Sequence, residues 1–85
     1  MPDVVIYSKR TCPYCIRAKR LLDAKAPGYR EIAVDFGGAE KADMVQRSGG
    51  RTTVPQIFIE GKHIGGSDDL AALEGGGKLD PLLSA

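Results

Sequence analysis

The stretch "VVIYSKRTCPYCIRAKRLLDAK", Val4 to Lys25, decides the fold, and it holds both cysteines of the chain, Cys12 and Cys15. It opens on a β-branched and aromatic run, "VVIYS", bounded by polar residues, which reads as a short buried strand. It closes with Cys15, Ala18, Leu21 and Leu22 on one face and Arg17, Lys19, Arg20 and Asp23 on the other. Cys12 to about Lys25 therefore reads as an amphipathic helix. Proline is favoured at the first helical position, so Pro13 there makes Cys12 the N-cap, its sulfur beside backbone N–H groups that have no helical partner.

Outward from this unit the chain continues in short elements. "APG" ends the helix, and Ile32, Val34 and Phe36 alternate with Ala33 and Asp35 as a second strand. "DFGG" breaks that pattern before a helix from about Ala39 to Arg47, which Gly49 and Gly50 stop. "TVPQIFIEGKHIGG" holds two strands, Gln56 to Glu60 and about His63 to Gly65, with a tight turn at Gly61 and Lys62. Ser67 has the character of an N-cap, followed by Asp68 and Asp69 in the first turn of a helix carrying Leu70 and Leu73. "GGGK" closes it, and Leu79, Leu82 and Leu83 return a last turn to the core. The order is βαβ, then α, then ββα. A strand-helix-strand unit of this length favours parallel pairing with a right-handed crossover, and the hairpin adds antiparallel strands. The expected fold class is α/β, a four-stranded mixed sheet with flanking helices, in one domain spanning residues 1–85.

Composition bounds the function. A chain of 85 residues makes one modest core, and two cysteines with 42% hydrophobic residues do not make a disulfide-rich secreted scaffold. The start, "MPDVVIYSKR", carries an aspartate where a signal peptide would carry positive charge, and its apolar run is only Val4 to Tyr7. No stretch approaches the roughly 20 apolar residues of a membrane span. The expected compartment is a reducing cytoplasm, where a cysteine pair is catalytic or metal-binding more often than structural. The net charge of +1 hides an asymmetry: residues 1–30 carry seven Lys or Arg against Asp3 and Asp23, and the remainder carries five basic and nine acidic residues. This is either a solvated helix face or a positive field near the cysteines. Nucleic-acid binding is not expected, because no aromatic-rich recognition pattern accompanies the basic residues.

Three readings of the pair compete. As a staple the bridge closes a loop of about four residues, for which chain entropy gives only about 2 kcal/mol. As a structural zinc site it lacks ligands, since only His63 remains beyond the cysteines. A cluster shared between two chains stays open. As a reactive pair it has a physical rationale: a helix start, with Lys9 and Arg10 just before it, favours the Cys12 thiolate, and such surroundings bring cysteine pKa values from about 8.5 to about 3.5–7.5. A lower pKa does not make a faster attacker, because the roughly thirtyfold gain in thiolate is offset by lost nucleophilicity. It makes Cys12 a better leaving group. Cys15 lies one turn inward on the same apolar face, within reach of a disulfide to Cys12 and less exposed and less ionised than it.

On a helix start after a first strand, "CPYC" resembles the active site of dithiol glutaredoxins, members of the thioredoxin fold. "TVP" (Thr53, Val54, Pro55) and "GGSDD" (Gly65 to Asp69) look like that family's glutathione-binding segments, and the length suggests its small bacterial class. The resemblance implies a glutathione-dependent thiol-disulfide oxidoreductase of the cytoplasm, with Cys12 attacking and Cys15 resolving. It implies a cis Val54–Pro55 bond facing the cysteines, and an extended peptide pairing with the Val54 backbone as an added strand. The helix start at Ser67 and Asp68 suits the carboxylate and ammonium of a γ-glutamyl group. Lys9 is implied near the glycyl end or the thiolate, and Tyr14 beside the peptide's cysteine. Glutathione is the implied co-substrate, with no metal required. The implied partners are disulfide-bearing or glutathionylated proteins, ribonucleotide reductase among them, served by a monomer with no membrane or nucleic-acid partner. Ser67 stands where many relatives carry a third cysteine. Two rivals remain at this point: a carrier reduced by a flavoprotein, and a dimer holding a [2Fe-2S] centre through Cys12 and glutathione.

Overall fold

A computed structural model describes residues 3–84. The elements follow the order β1 (Val4–Ser8), α1 (Pro13–Lys25), β2 (Arg30–Ala33), α2 (Gly38–Arg47), β3 (Gln56–Ile59), β4 (Lys62–Gly65), α3 (Ser67–Gly75) and α4 (Leu79–Leu83). They form one mixed sheet in the order β2-β1-β3-β4. β2 runs parallel to β1, with Tyr7 opposite Ile32, while β3 and β4 run antiparallel to their neighbours. α1 is the crossover between the two parallel strands. No helix among the described residues is long and apolar enough to cross a membrane.

The alternation of side chains along β1 divides the core in two. Val4 and Ile6 point to one face, where they pack with Ala18 and Leu22 of α1, Ile57 and Ile59 of β3, Leu70 of α3 and Leu79 of α4. Val5 and Tyr7 point to the other, against Val34, Met44 of α2 and Phe58. This second core carries polar atoms: the Tyr7 hydroxyl donates to Asp43 at 2.7 Å and accepts from Arg47 at 3.0 Å, and Arg47 lies 5.0 Å over the Phe58 ring. Burial pushes the Tyr7 phenol above its ordinary value, with the Asp43 hydrogen bond adding and Arg47 opposing.

Three elements depart from the sequence expectation. β2 ends at Ala33, and Phe36, expected on its inner face, is 91% exposed. The strand lasts only as long as β1 offers partners, from Val5 opposite Arg30 to Ser8 opposite Ala33, so the alternation beyond it has no sheet to join. The hairpin turn sits one residue earlier than expected, at Glu60 and Gly61, both with positive φ (53° and 76°). That is the two-residue turn whose twist matches its strands, for which glycine suits the second position. Finally, α3 is capped from Gly66, with Ser67 already helical: Asp69 reaches back to accept from the Gly66 N–H at 2.9 Å. A third-position carboxylate supplies this half of a capping box without a hydroxyl at the cap.

Candidate active site

β1 delivers the chain to the start of α1, and Cys12 occupies the N-cap with extended backbone angles, followed by Pro13. Its sulfur accepts from the Cys15 N–H at 3.3 Å, so it takes the place a capping oxygen holds in other helices. The same sulfur is 3.8 Å from the Val54 carbonyl oxygen, across from the helix. Val54 precedes Pro55 through a cis peptide bond, as the resemblance implied. Cys12 is partly open to solvent and Cys15 is fully buried, and both are free thiols. Burial pushes the Cys15 thiol up to about 11; the Cys12 side chain adds to this, and the Lys9 backbone and the Lys19 charge oppose it.

Beside the cysteines lies a groove of about 340 Å³, lined by Tyr14, Arg51, Thr53, Val54, Pro55, Gly66, Ser67, Asp68 and Asp69. Three separated segments meet there because β3 and β4 are neighbours: Pro55 leads into β3, and Gly65 leaves β4 for α3. The closeness is enforced at Gly65, whose φ is +122°, and a Cβ there would meet Asp69 Cγ at 2.6 Å. Asp69 also faces Arg51 at 3.7 Å, so one carboxylate ties the loop before β3 to the start of α3.

The Glutaredoxin family's sequence model matches residues 4–64. Over 83 residues, 98% of this chain and 99% of the relative, the sequence is 57% identical to glutaredoxin 3 of Escherichia coli K12. A glutaredoxin of Pseudomonas aeruginosa is 58% identical over the whole length of both chains.

The chain belongs to the glutaredoxin family.

It is accordingly a glutathione-dependent thiol oxidoreductase. Its fold is that of solved glutaredoxins: the buckwheat glutaredoxin–glutathione complex superimposes with a TM-score of 0.85 at 40% identity, covering 98% of this chain and 77% of that one. The solution structure of a glutaredoxin from Brucella melitensis matches with a TM-score of 0.82 at 53% identity, covering 98% and 89%.

Of the residues singled out from sequence, Tyr14, Thr53, Val54, Pro55, Ser67 and Asp68 line the one groove, and Cys12 stands beside Val54 at its head. Lys9 does not line it. Lys9 is half-buried in the loop before α1, where its carbonyl accepts from the Cys12 N–H at 3.4 Å. Sequence reasoning missed Arg51, and it held Gly66 and Asp69 within the "GGSDD" segment without giving either a role. The capping pattern could have pointed to Asp69, three residues past the cap; nothing local marks Arg51, whose partner is distant in the chain. The early basic excess is partly spent in ion pairs, Lys19 with Glu31 at 2.9 Å, Lys25 with Glu74 and Asp80 at 3.1 Å, and Arg30 with Asp3 at 2.8 Å.

Proposed function

We propose that Cys12 is the nucleophile, that Cys15 is the resolving thiol, and that the groove holds glutathione. What supports the reading above all is the position of the Cys12 sulfur, capping α1 and 3.8 Å from the Val54 carbonyl at the head of the groove. There the sulfur is both partly open to solvent and the acceptor of a backbone N–H at the helix start.

With a glutathionylated protein, the Cys12 thiolate attacks the glutathione sulfur, the Cys12–glutathione bond forms, and the protein sulfur leaves as a thiolate that takes up a proton. A second glutathione, as thiolate, attacks the sulfur of the bound tripeptide and expels Cys12 as thiolate. The glutathionyl group taken from the substrate and the attacking glutathione leave together as glutathione disulfide, and the protein sulfur is left as the reduced thiol. With a protein disulfide, Cys12 forms a mixed disulfide with the substrate. Cys15 then loses its proton, bonds to Cys12 and releases the substrate dithiol, leaving a Cys12–Cys15 bridge for two glutathiones to reduce.

In the groove, the Val54 backbone pairs with the tripeptide as a short added strand, and Tyr14 flanks its cysteine. The first N–H groups of α3, at Ser67 and Asp68, take the γ-glutamyl carboxylate, and the Asp68 side chain takes its ammonium. Arg51, which lines the groove, supplies positive charge toward the glycyl carboxylate, and Lys9, outside the lining, adds to the positive field near that end or near the Cys12 sulfur. The protein works as a monomer in a reducing cytoplasm, on disulfide-bearing and glutathionylated proteins. A coupled assay with glutathione, glutathione reductase and a small mixed-disulfide substrate tests this: turnover saturating in glutathione is expected. Turnover with a flavoprotein thioredoxin reductase and none with glutathione would overturn it.

A further inference from the structure

The peptide group between Thr53 and Val54 is gripped from inside the protein by a side chain that no step above uses. Gln56, the first residue of β3, is fully buried. Its Nε2 donates to the Thr53 carbonyl at 3.0 Å and lies 3.3 Å from Thr53 Oγ1. Its Oε1 lies 2.7 Å from Nε2 of His63 on β4.

Donor and acceptor capacities fix the direction of this chain. A carbonyl only accepts, so the amide nitrogen of Gln56 must face Thr53 and the amide oxygen must face His63. That oxygen also only accepts, so His63 Nε2 carries the hydrogen. The His63 ring is itself seated against Phe58, with centroids 5.1 Å apart. His63 thus donates to Gln56, and Gln56 donates to Thr53.

A trans peptide group is planar, with its C=O and N–H directed oppositely. Among the described residues the cis bond is the next one along, Val54–Pro55, so the Thr53–Val54 group is trans. Drawing the Thr53 oxygen inward to Gln56 therefore aims the Val54 N–H outward, on the side of the groove that Thr53 and Val54 line. Among the described residues no acceptor takes this N–H. A backbone donor with no partner in the protein, beside a groove, is open to water or to a ligand's acceptor.

We propose that Gln56, braced by His63, is a positioning residue that sets the direction of the Val54 N–H for the tripeptide's backbone. This rests on the reading of the groove as the glutathione site. Without Gln56 the peptide group is free to rotate about its two flanking single bonds, and the donor is no longer held ready. The loss falls on binding, not on the reactivity of Cys12, which Gln56 does not touch.

The test compares Gln56→Leu, His63→Phe and His63→Gln with the wild type in three measurements: the KM for glutathione against kcat, the rate of Cys12 alkylation, and the glutathione-induced shift of the Val54 amide resonance. Gln56→Leu is expected to raise the KM about tenfold, the factor for one lost hydrogen bond, with kcat and alkylation unchanged. His63→Phe keeps a ring beside Phe58 but removes the donor, and should raise the KM about threefold; His63→Gln restores a donor and should recover the wild-type value. If Gln56→Leu does not fold, the two His63 variants decide by the same readouts. A wild-type KM in every folded variant overturns the proposal, as does a loss of alkylation rate parallel to the loss of binding. No Val54 shift with glutathione in the wild type would overturn the groove assignment as well, whereas a shift that persists unaltered in Gln56→Leu overturns this inference alone.

Discussion

Cys12 lies before the first turn of α1, partly open to solvent and accepting a hydrogen bond from a backbone amide, whereas Cys15, one turn along, is fully buried. The two share a helix, a face and a sequence motif, so their difference is owed to position alone. At a helix start the N–H groups converge on an acceptor; one turn inward those groups are used within the helix, and the Cys15 side chain is shut off from water. A spacing of three residues thus places one sulfur where a backbone N–H donates to it and the other where burial disfavours its anion. For Cys15 the cause is chiefly burial, which pushes it up to about 11.

The largest test of this contrast is activity. Cys12→Ser should reduce turnover of a glutathione mixed disulfide to the uncatalysed rate, while Cys15→Ser should stay within about an order of magnitude of wild type, because glutathione itself resolves that intermediate. Equal losses would break the division of roles. Next is alkylation: near neutral pH iodoacetamide should modify Cys12 alone, with Cys15 reacting only as the pH approaches about 11 or after unfolding, as peptide mapping would show. Folding raises the Cys15 value above the ordinary 9.0, so the stability this gives is complete below about pH 9 and declines as pH rises toward about 11.

Stability should separate the two sites in the opposite sense. Cys15→Ser puts a hydroxyl into a fully buried site and should cost about 1–3 kcal/mol in urea unfolding. Cys12→Ser replaces one cap with a better one, and its midpoint should not fall. The smallest effect concerns Lys19, whose charge opposes the rise at Cys15 and whose amine is held by Glu31 at 2.9 Å. Lys19→Met should slow reduction of a protein disulfide by about two- to fivefold, the scale of one partly exposed charge, and leave reduction of a glutathione mixed disulfide unchanged. Equal slowing of both would show that Lys19 acts on something other than Cys15.

What the sequence revealed and what it hid follow from the range of the interactions. The Cys12 cap is legible because Pro13 and the apolar spacing of Cys15, Ala18 and Leu22 are local signals. The extent of β2 is not, because it is set by the length of β1, and Phe36 continues the alternation after the partner strand has ended. Thr53, Val54, Ser67 and Asp68 were found through whole motifs, whereas Arg51 joins the groove by facing Asp69, which no window of sequence contains. His63 had no assigned role from sequence; its tie to Gln56 exists only once β3 and β4 are paired.

The hairpin turn at Glu60 and Gly61 marks the pole of the molecule away from the cysteines, since β3 starts beside Val54 and runs from there to Ile59. A four-residue strand spans about 13 Å, so a tether at Gly61 would leave the reactive end facing outward. Anchoring the protein to an electrode or bead at that corner would present every copy in the same attitude, where attachment through scattered lysines would not.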